Sequence, residues 1–368
     1  MKVVHLMQRE KFTKPISGFY DQFFLDGEHE IFYISAPGTE SQINPALKIP
    51  QHEAFADLGN KAEAVGLLSS LAKTYDYIVL HSFFYPVSAF LLCPKALRKL
   101  VWIAWGYDLY TKKRTGLKKI LANGMYGIAK SGCCAFVGIF PPDCDYYRQQ
   151  FPLSRAKVYY APYISGKAPE DGAAYSPDCS LDRRMEDGEP IYIQVGHSAV
   201  ETMNHKRALD RLAKFKEENI RVLLPLSYGN LEYGAQVQEY AQQIFGSKAI
   251  CLRDFLPKEE YFRILDRVDI GVFETYRQVA LGNIHKMIFQ NKKLYLPETS
   301  VMYRYFHSCG IPVQRLEELD TLTFDTLTSR VDSHDPDAFR AYMEEYTGIE
   351  KKIDRWRFIY GDLRKGLE

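Results

Sequence analysis

The chain has 368 residues, enough for two domains of ordinary size, and 46% of them are hydrophobic and 25% charged. This composition is typical of a globular protein and excludes a disordered one. The formal net charge of +1 lacks the basic excess on which general nucleic-acid binding depends, so we expect no nucleic-acid partner. The seven cysteines form no C-x-x-C pair, which favours buried thiols in a reducing compartment and no metal site.

The longest apolar stretch, 78–93, is interrupted by polar residues and a proline. It is shorter than the ~20 residues that a membrane helix needs. The apolar run at 1–7 gives way to charged residues at once, too early for a signal peptide. We therefore expect a soluble or peripheral protein.

Strand-like runs alternate with helical patterns in residues 1–164. Such alternation predicts βαβ units and a parallel sheet. The predicted strands are 3–7, 30–34, 77–80, 100–104, 133–139 and 157–161. The predicted helices include 62–73, 91–99 and 116–130.

Glycine, proline, serine and charged residues dominate 165–189, which we interpret as a domain linker. The alternation then restarts and continues to about residue 345, with predicted strands at 191–195, 221–226, 249–252, 269–273 and 293–297. A charged C-terminal helix follows, at about 346–368. This order indicates the α/β GT-B architecture, in which two Rossmann-like, doubly wound domains face a cleft and the last helix crosses back to the first domain.

Polar and aromatic residues follow the strand at 100–104, at the strand end where ligands bind in this fold class. Asp108 is the candidate general base there, because attack by a sugar hydroxyl needs a proton acceptor within hydrogen-bond reach. The alternative is that Asp108 caps a turn or helix. Trp105 and Tyr107 are candidate acceptor-binding residues. His81 ends strand 77–80 and is a candidate base or acceptor contact, or else a satisfied core histidine.

Three predicted strand ends of the second domain carry polar residues, at 195–198, 226–229 and 274–278. A glycine at a predicted helix start follows the third of them. Backbone N–H groups and the positive end of a helix bind phosphates well, although such a glycine is also common in simple turns. Tyr228 is a candidate for stacking on a base or for ordinary loop packing. The candidate donor-binding residues are Gly196, Ser198, His205, Ser227, Tyr228, Arg277, Gln278, Gly282 and Asn283.

Nine basic residues and one acid lie between Lys95 and Lys130. Apolar residues recur every ~3–4 positions in the helix predicted there, which is therefore amphipathic. It is suited to an anionic membrane surface or to a diphosphate, and the alternative is a solvated helix covering the core. The candidate membrane-surface residues are Lys112, Lys113, Arg114, Lys118 and Lys119.

These motifs resemble those of the 4-acetamido-4,6-dideoxy-galactose (Fuc4NAc) transferases of enterobacterial common antigen synthesis. The resemblance spans most of the chain. Residues 105–110 resemble that family's W-G-x-D-L-Y, and 195–198 with Asn204 and His205 resemble its V-G-N-S…N-x-H region. Pro225-x-x-Tyr228 and Arg277-Gln278-x-x-x-Gly282 also have counterparts. The chain differs at His197, Ala280 and Glu274, positions that bear on the donor sugar.

The resemblance implies a bacterial, inverting, metal-independent GT-B enzyme without a cofactor. Its donor would be a dTDP-linked amino-deoxy sugar. Its acceptor would be a polyprenyl-diphosphate-linked saccharide at the inner face of the cytoplasmic membrane, where the enzyme would be peripheral. Arg277 and the helix start at Gly282 and Asn283 would stabilise the leaving diphosphate. Two alternatives stay open, a sugar-nucleotide epimerase or hydrolase and a non-catalytic subunit of an assembly complex.

Overall fold

The computed structural model of the chain describes residues 1–9, 13–35, 44–110, 117–162, 164, 188–329 and 336–367. The chain divides into two compact units, Met1–Ala168 with Met343–Glu368, and Pro169–Tyr342. The sequence places these boundaries at residue 164 and near residue 345. Most of the predicted linker, 165–189, lies outside the described residues.

The first unit is built on one parallel sheet. Its described strands are β1 (Val3–Met7), β2 (His29–Ser35), β3 (Gln51–Phe55), β4 (Tyr77–His81), β5 (Leu100–Ala104), β6 (Ala135–Gly138) and β7 (Lys157–Tyr160). They are ordered β3-β2-β1-β4-β5-β6-β7. Sequence analysis misses β3, because its residues lack the apolar run of the buried strands and it lies at the sheet edge.

The second unit is also built on a parallel sheet. Its described strands are β8 (Ile191–Val195), β9 (Ile220–Pro225), β10 (Ala249–Leu252), β11 (Ile270–Val272), β12 (Lys293–Leu296) and β13 (Gln314–Arg315). They are ordered β10-β9-β8-β11-β12-β13. Each sheet thus extends in both directions from the first strand of its unit, which is the doubly wound arrangement predicted from the sequence.

Helices connect the strands and cover the sheets. The described helices before the second unit's first strand are α1 (Thr13–Phe23), α2 (Lys61–Thr74), α3 (Val87–Leu92), α4 (Pro94–Leu97), α5 (Leu117–Ser131) and α6 (Pro141–Gln150). Those that follow it are α7 (His205–Leu212), α8 (Leu231–Phe245), α9 (Lys258–Asp266), α10 (Leu281–Phe289), α11 (Val301–Ser308), α12 (Phe324–Thr328), α13 (Pro336–Thr347) and α14 (Ile349–Lys365). None of the described helices is both long enough and apolar enough to cross a lipid bilayer.

Apolar side chains fill both faces of the first sheet. On one face, Leu68 of α2 and Phe90 of α3 pack with Trp102 of β5. On the other face, Tyr20 of α1 packs with Trp356 and Tyr360 of the C-terminal helix α14. The hydroxyl groups of Tyr20 and Tyr360 are hydrogen-bonded at 2.8 Å. The C-terminal helix therefore belongs to the first unit, as the GT-B pattern predicts.

Candidate active site

The second sheet changes direction between β8 and β11, because strands are added on one side of β8 by β9 and on the other by β11. Doubly wound sheets bind ligands beyond the carboxyl ends of their strands at such a point. The loops that the sequence analysis singles out follow β8, β9 and β11. The topology therefore brings the three predicted strand ends to one edge of one sheet.

Backbone hydrogen bonds join these loops. The Ala199 N–H donates to the Tyr228 carbonyl at 2.8 Å, and the Asn230 N–H donates to the Ala199 carbonyl at 2.8 Å. The Gly196 N–H donates to the carbonyl of Val272, in β11, at 3.0 Å. The predicted convergence of the loops is therefore present, while the roles of their side chains in donor binding stay predictions.

Gly196 and His205 pack directly on each other. Gly196 has φ +66°, and a Cβ atom at this position would lie 2.5 Å from Nε2 of His205. The His205 ring is fully buried and its Nδ1 lies 3.2 Å from the hydroxyl oxygen of Tyr233. Burial lowers the pKa of His205 to about 4, so the ring is neutral at pH 7. Glycine is required here both by the backbone conformation and by the close approach of the ring.

Ser198, Ser227 and Tyr228 lie at the ends of β8 and β9. Ser198 is buried, whereas Ser227 and Tyr228 are half-buried. The Tyr228 ring meets the His197 ring edge-on, with centroids 5.9 Å apart. Burial raises the pKa of Tyr228 to about 12, against a smaller opposing effect of a hydrogen bond with Ser198. A neutral, partly exposed phenol at this strand end is suited to stacking on a base.

Arg277 lies between the end of β11 and the start of α10. Its Nη1 donates to the Gln278 carbonyl at 3.2 Å, and its Nη2 lies 3.5 Å from the Thr202 hydroxyl oxygen. Helix α10 begins at Leu281 and has no side-chain cap. An uncapped helix start beside a guanidinium group offers N–H donors and positive charge for an anion.

Gly282 and Asn283 occupy the first turn of α10. A Cβ atom at Gly282 would meet no other atom within 4 Å, so packing alone does not require glycine there. The Asn283 amide donates to the Tyr261 hydroxyl at 2.7 Å. The preceding residue Ala280 has φ +58°, a left-handed conformation that favours glycine.

The side chain of Glu274 joins the loop after β11 to helix α7. This contact is not predicted from the sequence. The Glu274 carboxylate is 1% exposed and forms ion pairs with Arg207 at 2.8 Å and Arg211 at 3.5 Å. The Asn204 amide donates to the Glu274 carbonyl at 2.8 Å. Burial raises the pKa of Glu274, and the two arginines oppose that rise. The available signal was the i, i+4 spacing of the two arginines, which places them on one helix face.

The first sheet changes direction between β1 and β4. His81 ends β4, and Trp105, Tyr107 and Asp108 follow β5. The Ser82 hydroxyl donates to the Tyr107 hydroxyl at 2.8 Å, which joins the two loops. Tyr107 is 51% exposed and Trp105 is half-buried. These predicted acceptor-binding residues therefore lie at one edge of the sheet of the first unit.

The carboxylate of Asp108 is buried and accepts three N–H groups. Oδ2 accepts from the backbone of Phe83 at 2.8 Å and from the indole of Trp102 at 2.7 Å, and Oδ1 accepts from the backbone of Trp105 at 2.8 Å. Lys130, itself 3% exposed, donates to the Asp108 carbonyl. Burial raises the pKa of Asp108, and these hydrogen bonds and Lys130 oppose that rise. The contacts are those of the turn-capping alternative, and the base role stays a prediction.

His81 is 2% exposed and its Nε2 lies 3.1 Å from Nδ1 of His5. Burial lowers the pKa of His81 to about 3, so the ring is a neutral imidazole at pH 7. A neutral imidazole carries one free lone pair, which allows it to accept a proton. His81 is therefore a buried core residue that also lies at the carboxyl edge of the sheet.

Helix α5 turns its apolar side chains away from the first unit. Ile120, Leu121, Met125 and Ile128 are between 39% and 68% exposed. At 100° per residue these four positions share one side of the helix, whereas Ala129 on the other side is buried. Helix α5 thus covers the core with the side that holds Ala129 and exposes the apolar stripe, and its contact with a membrane stays a prediction.

The basic residues predicted at this surface are only partly described. Lys112, Lys113 and Arg114 lie outside the described residues, in 111–116. Lys118 and Lys119 lie in α5, but their side chains are outside the described part of the chain.

A comparison with known families identifies the class of protein to which the chain belongs. The model of the family described as 4-alpha-L-fucosyltransferase, glycosyl transferase group 56, matches residues 14–336. The chain belongs to glycosyl transferase group 56. The resemblance to the Fuc4NAc transferases is confirmed at this level, and the protein is a glycosyltransferase.

Solved structures with a similar fold include three glycosyltransferases that are only remotely related to this group 56 chain in sequence. HepE from Anabaena, solved with UDP and glucose, is 11% identical, with a TM-score of 0.63 over 98% of this chain and 100% of its own. A glycosyltransferase from Rickettsia africae is 12% identical, with a TM-score of 0.65 over 99% and 98%.

The α,α-trehalose-phosphate synthase (UDP-forming) from Burkholderia xenovorans, solved with glucose-6-phosphate, is 9% identical, with a TM-score of 0.59 over 99% and 100%. Such low identities define the fold alone. The group 56 chain has the GT-B fold predicted from its sequence.

Proposed function

We propose that the chain transfers an N-acetylated amino-deoxy sugar from a dTDP-linked donor to a polyprenyl-diphosphate-linked saccharide in bacterial surface polysaccharide synthesis. The reaction inverts the anomeric configuration and needs no metal ion. The enzyme works as a peripheral protein at the cytoplasmic face of the membrane. Membership of group 56 supports the sugar transfer, and the motifs shared with the Fuc4NAc transferases support the donor and acceptor classes.

The main support for a donor site is the uncapped start of α10, which follows Arg277 at the point where the second sheet changes direction. Free N–H groups and a guanidinium group favour the two negative charges of a nucleotide diphosphate. Tyr228, at the neighbouring strand end, provides an aromatic face for the base. HepE, which shares the fold, was solved with UDP, and that supports a nucleoside diphosphate as the ligand class.

The same groups account for catalysis of the bond-breaking step. When the bond between the anomeric carbon and the diphosphate breaks, negative charge grows on the diphosphate oxygens. Arg277 and the α10 N–H groups stabilise that charge more than they stabilise the bound donor, which lowers the barrier. A metal ion performs this work in other transferases. Because Arg277 and the α10 N–H groups would perform it here, we expect EDTA to leave donor binding unchanged.

Calorimetry with dTDP, UDP, GDP and ADP, each with and without EDTA, tests the donor site. We expect binding that prefers dTDP and is insensitive to EDTA. Preference for UDP would agree with a glycosyltransferase but would contradict the proposed dTDP-linked donor. Binding of none of the four nucleotides would contradict the donor site and favour the non-catalytic alternative.

Replacing Arg277 with alanine removes the basic side chain of the loop between β11 and α10. We expect Arg277→Ala to weaken dTDP binding by about tenfold or more, since charge-assisted hydrogen bonds contribute roughly 1.5–3 kcal/mol. Calorimetry measures the change. The matched control is Arg263→Ala, an exposed arginine in α9, which should bind dTDP like the wild type. Equal weakening by both variants would contradict a specific role for Arg277.

The exposed stripe on α5 supports the membrane-surface part of the proposal. The stripe begins at Ile120, a few residues after a segment rich in Lys and Arg, residues 112–114. Apolar side chains that enter the boundary of a bilayer, with basic residues beside them, bind anionic membranes. A lipid-linked acceptor lies at that surface, so the same helix would bring the enzyme to its acceptor.

Replacing three residues of the stripe tests this surface. We expect Ile120→Ser/Leu121→Ser/Ile128→Ser to reduce co-sedimentation with vesicles of mixed phosphatidylcholine and phosphatidylserine by about tenfold or more, since each buried CH₂ contributes ~0.8 kcal/mol. Leu153→Ser is the matched control, because Leu153 is 93% exposed and lies outside α5. Wild-type binding by the triple variant, or no binding by the wild type at low salt, would contradict the membrane surface.

A further inference from the structure

Three buried histidines form a line across the sheet of the first unit. His5 lies in the middle of β1, opposite Ile31 of β2 and Val79 of β4. His29 is two residues before Ile31, and His81 is two residues after Val79. Residues two apart on a strand point to the same face. The three rings therefore share one face and run diagonally across the strands, with the ring centroid of His5 5.3 Å from that of His29 and 5.3 Å from that of His81.

Hydrogen bonds join the three rings into a chain. His5 Nδ1 lies 3.1 Å from His81 Nε2, and His5 Nε2 lies 3.0 Å from His29 Nδ1. His5, His29 and His81 are 0%, 2% and 2% exposed. Both nitrogens of His5 are therefore occupied by the other two histidines.

The three rings are neutral at pH 7. Burial lowers the pKa of His5 well below its ordinary value, with His29 and His81 adding to the effect. It also lowers the pKa of His29 to about 4 and that of His81 to about 3. A neutral imidazole has one N–H group and one lone pair. One proton therefore occupies each of the two bridges, and the tautomers of the three rings are coupled.

The two ends of this histidine chain lie at different edges of the sheet. His81 lines a small cavity with Trp105 and Trp356 at the carboxyl edge, beside the loop that holds Tyr107. His29, at the first residue of β2, lines a second cavity of about 470 Å³. The charged side chains that line this second cavity are Asp26, Glu28, Arg357 and Arg364.

We propose that His81, His5 and His29 conduct a proton from the carboxyl edge of the first sheet to the cavity at its amino edge. The use of this path rests on the proposed transfer reaction, in which the acceptor hydroxyl must lose a proton as it attacks. When all three neutral histidines carry their proton on Nε2, Nδ1 of His81 has a lone pair that can accept a proton. His81, at the start of the path, is then the group that takes the acceptor proton.

The acceptor oxygen forms its bond to the anomeric carbon, the diphosphate leaves with the electron pair of the broken bond, and the hydroxyl proton moves to His81 Nδ1. The Nε2 proton of His81 moves to His5 Nδ1, and that of His5 moves to His29 Nδ1. His29 releases its Nε2 proton to water in the second cavity. Reverse transfer after product release restores the first tautomer.

A static hydrogen-bonded cluster is the alternative, and proton exchange distinguishes the two. Asp26, Glu28, Arg364 and the N-terminal amine act electrostatically on His29, while Tyr20 and Tyr360 contact the rings of His5 and His29. None of these groups interrupts the two bridges. In a static cluster, the bridging protons exchange with solvent only when β1 opens. In a conducting chain they exchange through His29 while β1 stays closed.

The experiment measures imidazole N–H exchange by NMR on protein labelled with ¹⁵N-histidine, against the backbone amides of Val4 and Leu6 in β1. We expect the bridging protons to exchange about tenfold or more faster than these amides. His29→Gln, which keeps a hydrogen-bonding group but cannot relay a proton, should remove that advantage and leave the amides unchanged. His52→Gln is the matched control, because half-exposed His52 pairs with Glu30 at 2.7 Å outside the chain.

Two outcomes would overturn the conducting chain. One is exchange of the wild-type bridging protons at the rate of the β1 amides, a comparison that needs no variant. The other is unchanged exchange in His29→Gln. Both measurements are made without substrate, so they separate failure of the path from failure of the proposed transfer reaction. If dTDP binding is found, His81→Gln should retain it and lose turnover by about a hundredfold or more.

Discussion

Asp108→Asn should destabilise the first unit by about 3 kcal/mol, because it removes the counter-charge of buried Lys130 and one acceptor of a three-fold hydrogen-bonded carboxylate. The asparagine oxygen can accept from one side of the site only. Its NH₂ group then faces the N–H groups of Trp105 or of Phe83 and Trp102, where the carboxylate accepts at present. Urea unfolding followed by tryptophan fluorescence measures this loss. All three tryptophans, Trp102, Trp105 and Trp356, belong to the first unit.

Asp57→Asn is the matched control. Asp57 is exposed and accepts the Gly59 N–H at 2.8 Å, so asparagine replaces it with little change in the free energy of unfolding. The result also separates the two interpretations of Asp108. Wild-type unfolding combined with lost turnover would contradict the turn-capping role and favour Asp108 as the general base. A loss of stability would show that lost turnover in this variant is no evidence for base catalysis.

Asp143→Asn should make the first unit more stable than the wild type at pH 8, by up to about 4 kcal/mol. Burial raises the pKa of Asp143 to about 7, while the Tyr110 hydroxyl, which donates to Oδ1 at 2.8 Å, opposes the rise. The ordinary pKa of an aspartate is 3.8, so the folded state binds more protons than the unfolded state between pH 4 and pH 7. The contribution of Asp143 to stability is therefore complete below pH 4 and is lost as the pH rises through 7.

Urea unfolding at pH 5 and pH 8 tests this dependence. The difference in unfolding free energy between Asp143→Asn and the wild type should be small at pH 5 and grow toward pH 8. Asp145→Asn is the control, because Asp145 lies on the same helix α6 but is 73% exposed. A constant difference between variant and wild type over this range would contradict titration of buried Asp143.

Much of the fold follows from local sequence pattern. Strands β1, β5, β8 and β10 begin and end where the apolar runs predict them, since a buried parallel strand must be apolar on both faces. Strand β3 is missed because an edge strand is less buried and needs no continuous apolar run. Helix α1 was also not predicted.

The candidate donor site was predictable in its location and less so in its contacts. Parallel strands present their carboxyl ends at one edge, so the polar residues after β8, β9 and β11 had to meet once the fold was known. The ion pairs of Glu274 with Arg207 and Arg211 were not predicted, because the partners are more than sixty residues apart in sequence. Periodicity carries no information on pairs separated by that distance.

Helix α5 shows a second feature that hydrophobic periodicity cannot predict. The repeat of Ile120, Leu121, Met125 and Ile128 determines that these side chains share one side of the helix. The repeat cannot determine whether that side faces the core or the solvent. This depends on which surface of the helix contacts the first unit, and Ala129 and Lys130 occupy that surface.

The alternation of strands and helices, the parallel sheets, the two-domain order and the family motifs depend on near neighbours along the chain, so they are predictable from the sequence. Which of these residues meet is visible only in the folded protein. There, Asp108 is surrounded by three N–H donors and His81 is joined to His5 and His29. Those contacts depend on strand order and register, which arise from packing between segments distant in sequence.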